Sequence, residues 1–236
     1  MKILGIESSS LVASAAVVTD DILTAEYTVN FKKTHSQTLL PMIDQIVGML
    51  EMDLRSLDAV AVAGGPGSFT GLRIGGATAK GLGLALKKPL IHVPTVDAMA
   101  WNLWGCSCLV CPIMDARRNQ VYTGLYHVEQ TLEVVKEQCA MDMGELIQIL
   151  NGRGETVIFL GDGVGVCRSQ IQEQMKVPFR FAPASNNRQR AASVAALGME
   201  YYKKGITVEA AAFAPDYLRK SQAEREREAK NDQMDA

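Results

Sequence analysis

Histidine is scarce. The 236 residues include three, His35, His92 and His127, and no two of them stand at H-x-x-x-H or H-E-x-x-H spacing. That excludes the helix-borne metal motifs, which need two imidazoles one turn apart on the same face. G-x-S-x-G and S-x-x-K are also missing, so no serine nucleophile sits in a recognisable frame. Neither sign of charge dominates: 24 lysines and arginines against 26 aspartates and glutamates leave a net charge of −2. A surface built mainly to hold nucleic acid is thereby disfavoured, although a local basic patch is compatible with it. Long apolar runs are absent too. The run from Ile3 to Ile6 is broken at once by Glu7 and three serines, too short for an export signal, and nothing reaches the roughly 20 residues that span a bilayer. The expectation is a cytoplasmic chain with no membrane contact and with reduced thiols. Of the five cysteines, Cys106, Cys108 and Cys111 form C-x-C-x-x-C. With no histidine beside them and Cys111 entering an apolar strand, unliganded thiols are expected rather than a zinc site.

Glycine, by contrast, is concentrated in one stretch. The apolar run Ala59 to Ala63 has the length and small, β-branched content of a buried strand. Gly64-Gly65-Pro66-Gly67 then makes a tight turn, and Ser68 or Thr70 caps a helix through Leu86. The spacing satisfies neither G-x-G-x-x-G nor the P-loop, and no lysine ends the turn. Two readings stand: glycines that let a strand and a helix pack closely, or a cradle of amides for a phosphate. Within the helix, Gly71, Gly75, Ala79 and Gly83 recur every four residues and share one face. Each interior glycine costs about 1 kcal/mol relative to alanine, so that face is expected to meet another backbone, in the fold or on a partner. Arg73 and Lys80 rule the helix out as a membrane span.

The rest alternates strands and helices. Lys2 to Glu7 and Leu11 to Val18 read as strands joined by a serine turn. After Asp20-Asp21, the residues Leu23, Ala25, Tyr27, Val29 and Phe31 alternate with polar ones, predicting a strand with one buried face. A helix begins at Thr34 or Ser36 and runs to about Glu51, with Leu39, Met42, Ile43, Ile46, Val47 and Leu50 as its apolar stripe. His35 at its start reads as a capping or interface residue. Pro89 to Val93 is a strand, and Trp101 to Cys108 crosses into a second half. There, strands at Leu109–Met114, Val121–Val128, Thr131–Met141 and Thr156–Leu160 surround a helix at Met143–Leu150. Asp115, Arg117 and Arg118 could hold an anion or form a buried ion pair. Ser193 to Lys204 is a helix that packs back on the first half. Lys220 to Ala236 is almost wholly polar, a solvated helix or a disordered tail.

The run Gly64-Gly65-Pro66-Gly67-Ser68-Phe69-Thr70-Gly71-Leu72-Arg73-Ile74-Gly75 resembles the signature of the TsaB (YeaZ) family, as do His35-Ser36-Gln37-Thr38-Leu39-Leu40-Pro41, Asp115-Ala116-Arg117-Arg118 and Pro215-Asp216-Tyr217-Leu218-Arg219. The likeness covers Met1 to Arg219 and is strongest between Ile3 and Arg118. It implies the α/β fold of actin, Hsp70 chaperones and sugar kinases (ASKHA), with two similar subdomains, each a mixed sheet flanked by helices. The division expected is 1–104 and 105–187, with the helix at about 188–204 packing back on the first and 220–236 as a tail.

The resemblance also implies roles. Glu7 and Ser8 fall where the superfamily has its first phosphate-binding turn; with Gly65, Gly67, Gly161 and Gly163 they are the candidate nucleotide-binding residues, for ATP or ADP, with no cofactor required. Hydrogen-bonded serines and short loops explain the same residues equally well. Thr95 and Met99 occupy the positions of a metal-binding His-x-x-x-His in the catalytic relative, TsaD, so no metal and no catalytic residue is expected. The implied role is a non-catalytic scaffold that binds TsaD, and with it the ATPase TsaE, for threonylcarbamoyl transfer to A37 of tRNAs reading ANN codons. Its contact residues would be His35, Leu39, Met42, Ile43, Ile46, Gly71, Arg73, Gly75, Ala79 and Gly83. A homodimer would compete for the same surface, and tRNA would be met only through the complex. The alternatives are an ATPase or small-molecule kinase on the same fold, or a metal-dependent glycopeptidase.

Overall fold

Strand β1 (Lys2–Glu7) is the spine of the first sheet. It pairs antiparallel with β2 (Val12–Thr19), which turns at Asp20, left-handed at φ 52°, into the antiparallel β3 (Ile22–Asn30). On its other side β1 runs parallel to β4 (Ala59–Gly65), and β4 to β5 (Leu90–Pro94), giving the order β3-β2-β1-β4-β5. Parallel neighbours need crossovers, and α1 (His35–Met49) and α2 (Phe69–Leu86) supply them. This computed structural model describes residues 1–218; the tail expected at 220–236 lies outside them.

The second sheet repeats the pattern. β6 (Leu109–Asp115), β7 (Gln120–His127) and β8 (Glu133–Asp142) are an antiparallel meander. Helices α4 (Met143–Arg153) and α5 (Gly163–Gln174) carry the chain to β9 (Val157–Leu160) and β10 (Phe179–Phe181), both parallel to β6. The order, β10-β9-β6-β7-β8, is that of the first sheet read from its opposite edge. Helix α3 (Thr95–Trp101) lies in the seam between the sheets, where Val96, Met99 and Ala100 pack with Val110, Met114, Tyr126 and Leu160.

The central strands are covered on both faces. Leu4, Ile6, Val60 and Val62 meet Leu39, Met42, Ile43 and Ile46 of α1. Ile3, Ala59, Ala61 and Ala63 meet Val194, Ala195 and Leu197 of α6 (Ala191–Lys203). Two-sided burial is why these strands read as unbroken apolar runs. Gly5 lets α6 sit this close, since a Cβ there would strike the Ala191 carbonyl. Among the described residues no helix is long and apolar enough to cross a membrane.

Three local expectations need correction. β3 does not bury a clean face: Leu23, Tyr27 and Phe31 are 45%, 39% and 65% exposed, and only Ala25 and Val29 reach the core. It is an edge strand, and a bulge at Val17/Val18 shifts its register, so alternation alone misplaces its sides. Helix α5 and strand β10 were not foreseen; α5 buries only Val164, Cys167 and Ile171 as apolar side chains, too thin a stripe to stand out beside Gly163 and Gly165. Finally, α4 continues past Asn151-Gly152 to Arg153 and stops at Gly154, left-handed at φ 73°.

Beyond α6 the chain becomes a strap along α2. Val208 exchanges two hydrogen bonds of 2.9 Å with Leu90 on the sheet edge. Ala210 and Phe213 then press against the helix, and Lys80 Nζ donates to the Phe213 carbonyl at 3.2 Å. The strap ends over the glycine turn, where Asp216 N donates to the Gly64 carbonyl at 2.7 Å and the Tyr217 ring lies 4.8 Å from that of Phe69.

Candidate functional site

The end of β1 and the turn after it carry the first candidate residues, Glu7 and Ser8. Glu7 is 1% exposed, and its Oε1 accepts from Ser9 N at 2.6 Å. Burial pushes its carboxyl up to about 7, opposed by hydrogen bonding from Ser9 and reinforced by the charge of Asp162, which follows β9. Ser8 Oγ donates to the Gly71 carbonyl at 2.9 Å, and Ser68 N donates to the Ser9 carbonyl at 2.6 Å. His35 holds the same turn from α1: its Nε2 lies 2.8 Å from the Ser10 carbonyl, which makes Nε2 the donor. The serine turn is therefore knitted to the starts of both long helices.

The glycine turn is equally committed. Gly65 has φ 123°, and its N–H donates to Thr95 Oγ1 at 3.2 Å. A Cβ at Gly65 would run into the Asp216 carbonyl, and one at Gly67 into the Ser9 carbonyl. Gly161 and Gly163, beyond β9, press on the Ile113 carbonyl. At these four positions the room that glycine creates is filled by the chain's own backbone. Close packing, one of the two sequence readings, accounts for these four approaches.

The α2 face follows the same logic. Ser8 abuts Gly71 and Gly75, while a Cβ on Gly83 would lie 2.8 Å from Leu90 and 2.9 Å from Ala210. Ala79, like Leu39, Met42, Ile43 and Ile46, belongs to the first sheet's core, each at most 5% exposed. Arg73 is the exposed member of the set, its guanidinium 3.8 Å over the Phe69 ring and its Nε donating to Tyr217 Oη at 3.2 Å. A different row faces outward: Ala77, Gly81, Leu84 and Ala85 on α2, with Leu40, Asp44, Gly48 and Met49 on α1. Among the described residues nothing lies within 4 Å of a Cβ on Gly48 or Gly81.

Thr95 is fully buried, and the Met99 methyl reaches Gly161. Between them Asp97, missed by the sequence reading, accepts from Tyr126 Oη at 2.7 Å and Tyr201 Oη at 3.4 Å. Burial raises its carboxyl above the ordinary range, against the pull of the Tyr126 hydrogen bond. Among the described residues no three His, Cys, Asp or Glu side chains converge as a metal set. The five thiols are free, and burial pushes that of Cys111 up to about 12.

The turn after β6 is not a buried ion pair. Asp115 is exposed and accepts from Arg117 N at 2.7 Å. Arg117, Arg118 and Asn119 are left-handed in succession, with φ of 62°, 56° and 59°. Asn119 ties the turn to α4 by donating to Asp142 at 2.8 Å. Asp142 caps that helix, and the Gly144 N–H, then Asn119, hold its carboxyl below the usual range.

The family described as tRNA N6-adenosine threonylcarbamoyltransferase, TsaD, matches residues 26–227. The tRNA threonylcarbamoyladenosine biosynthesis protein TsaB of Bacillus subtilis is 34% identical over 95% of this chain and 96% of its own. TsaB of Escherichia coli is 34% identical over 66% of this chain and 71% of its own. YeaZ from Pseudomonas aeruginosa superposes with a TM-score of 0.76 at 24% identity, covering 92% of this chain and 99% of that one. An inorganic polyphosphate/ATP-glucomannokinase from Arthrobacter reaches a TM-score of 0.50 at 11% identity, over 86% and 99% of the two chains, a likeness of fold alone. The duplicated 3-2-1-4-5 sheet order is thus that of the actin and sugar-kinase fold. Matched by a TsaB relative along nearly its whole length, on that duplicated scaffold, the chain belongs to the TsaB (YeaZ) family.

Proposed function

We propose that this chain is a non-catalytic scaffold for the threonylcarbamoylation of tRNA. It would hold a TsaD-type catalytic subunit, and with it the ATPase TsaE, while A37 of tRNAs reading ANN codons is modified. The observation that carries this reading is the use made of Thr95 and Met99. The positions that resemblance assigns to a metal-binding histidine pair are spent on the fold: Thr95 holds the Gly65 amide, and Met99 fills the space beside Gly161. The glycines beside Glu7 are likewise closed by backbone, which supports binding rather than turnover as the work of this subunit.

The docking face proposed is the outer side of α1 and α2. Gly81 costs the helix about 1 kcal/mol relative to alanine, and no neighbour among the described residues explains it. Ala77, Gly81 and Ala85, flanked by Leu84 at 59% exposure and by Met49 at 82%, form a low surface against which another helix can close. The same face would serve a homodimer. Substitution at Gly75 or Ile43 would damage the core and is no test of docking. Gly81→Glu places a charge on the face without touching the core. We expect it to weaken co-purification with the catalytic partner roughly 30-fold, the equivalent of about 2 kcal/mol, with unchanged circular dichroism. Undiminished co-purification would sink the assigned face. ATP turnover by the isolated chain, lost on Glu7→Ala, would favour the ATPase alternative instead.

A further inference from the structure

Both tryptophans of the chain line one cavity of about 420 Å³. Its apolar walls come from three places: Leu23 from the β2–β3 hairpin, Trp101 and Trp104 from the end of α3 and just beyond it, and Met199 from α6. Ala192 and Ala196, one turn apart on α6, are small and leave the room between these walls. Leu23 and Trp104 are exposed. Helix α6 covers the face of the first sheet opposite α1, so the cavity stands apart from the docking face on α1 and α2.

The charged lining is mostly acidic, with Asp20, Asp21 and Glu200 against Arg190. Each cation in reach is already matched. The Met1 ammonium lies 2.6 Å from Asp20, and Lys203 Nζ lies 2.8 Å from Glu200. Arg190 gives its Nε to the two Glu26 oxygens at 3.2 and 3.3 Å, and its Nη1 to the Ser185 carbonyl at 3.4 Å. Asp21 is the acid left over: among the described residues its ion pair is with Lys203 at 4.0 Å, and Lys203 is held closer by Glu200.

Acids around the opening repel phosphate, which argues against a nucleotide or an RNA backbone. Apolar walls, with no three-ligand set among the described residues, argue against a bare metal ion. A cation with an apolar body suits both features, and indole faces attract such ions more strongly than other aromatic side chains do. None of the buried side-chain atoms left without a hydrogen-bond partner among the described residues lines this cavity, so nothing in it calls for an N–H donor. We infer that the cavity binds a small organic monocation of the quaternary-ammonium class, its alkyl groups against Trp101, Trp104 and Leu23 and its charge balanced by Asp21. The volume lies within the roughly 300–1,000 Å³ of small-molecule sites.

The test uses the full-length chain. Because both tryptophans line the cavity, intrinsic fluorescence reports its occupancy. Titration with choline chloride, against sodium chloride at matched ionic strength, should give a saturable change fitted by one site per chain. The neutral analogue of choline, with a tert-butyl group in place of trimethylammonium, should bind roughly tenfold more weakly or worse. Calorimetry then compares variants at two exposed positions. Trp104→Ala should weaken choline binding roughly tenfold, and Asp21→Asn roughly threefold. If Trp104→Ala does not fold, Asp21→Asn decides alone. Absence of a saturable change in folded protein up to about 10 mM choline, tenfold beyond a millimolar site, would overturn the inference. So would equal affinity for the neutral analogue, or choline binding unchanged in either folded variant.

Discussion

Asp97 shows how much of the seam rests on single side chains. It sits in the apolar run Val96 to Ala100, yet the hydroxyls that satisfy it come from 29 and 104 residues away. Its folded carboxyl holds its proton more tightly than the unfolded one would, because burial opposes charge. The sign follows from linkage: its contribution to stability is complete below the unfolded carboxylate range, near 4, and is lost as pH rises through the raised folded value. Denaturant midpoints measured from pH 4 upward should therefore fall less steeply in Asp97→Asn than in the parent chain. Tyr126→Phe removes the shorter hydrogen bond and should cost about 1–3 kcal/mol in the same assay. Neither tyrosine could be matched to Asp97 from spacing. The only sequence signal was an acid lodged among residues that bury, and it is visible in retrospect at this one place.

Helix α2 tests what a glycine pattern means. The period-four row was legible, and so was the need for something to cover it. What covers it was not, because Ser8, Leu90 and Ala210 arrive from three separate parts of the chain. Gly83 and Gly81, two residues apart, should respond in opposite directions. Gly83→Ala brings a Cβ within 2.9 Å of both Leu90 and Ala210, so the packed strap must give way and the variant should be destabilised. Gly81→Ala meets nothing within 4 Å among the described residues and should gain up to about 1 kcal/mol from helix propensity. Thermal melts of the two variants, side by side, check both signs. Helix α1 carries the same lesson: its apolar stripe was read correctly as a stripe, while the side it faces is the chain's own sheet.

At the scale of the whole molecule, the alternation of strands and helices was enough to locate most strands of both sheets along the chain, while their order within the sheets comes from the structure. Buried strands such as β4 declare themselves by continuous small apolar residues, and α4 by its cap at Asp142. The failures lie where burial is thin, in β3, α5 and β10. The strap after α6 was beyond reach for another reason: it has no period of its own, and its meaning depends on the helix it covers. A chain ending at Gly205 should lose the partner of Leu90 and the Phe213 ring, which is 4% exposed. Truncating such a ring alone costs about 3–5 kcal/mol. That shortened chain should bind a hydrophobic dye and melt with reduced cooperativity, whereas Tyr217→Ala, at a position 40% exposed, should melt nearly as the parent does.

The bond from Lys80 to the Phe213 carbonyl joins residues 133 positions apart. Translation at roughly 5–20 residues per second leaves the flank of α2 bare for on the order of ten seconds after that helix is synthesised. The flank of α2 that Ala210 and Phe213 cover thus stays open to solvent until the strap has been synthesised, and the native packing of the first sheet can close only then.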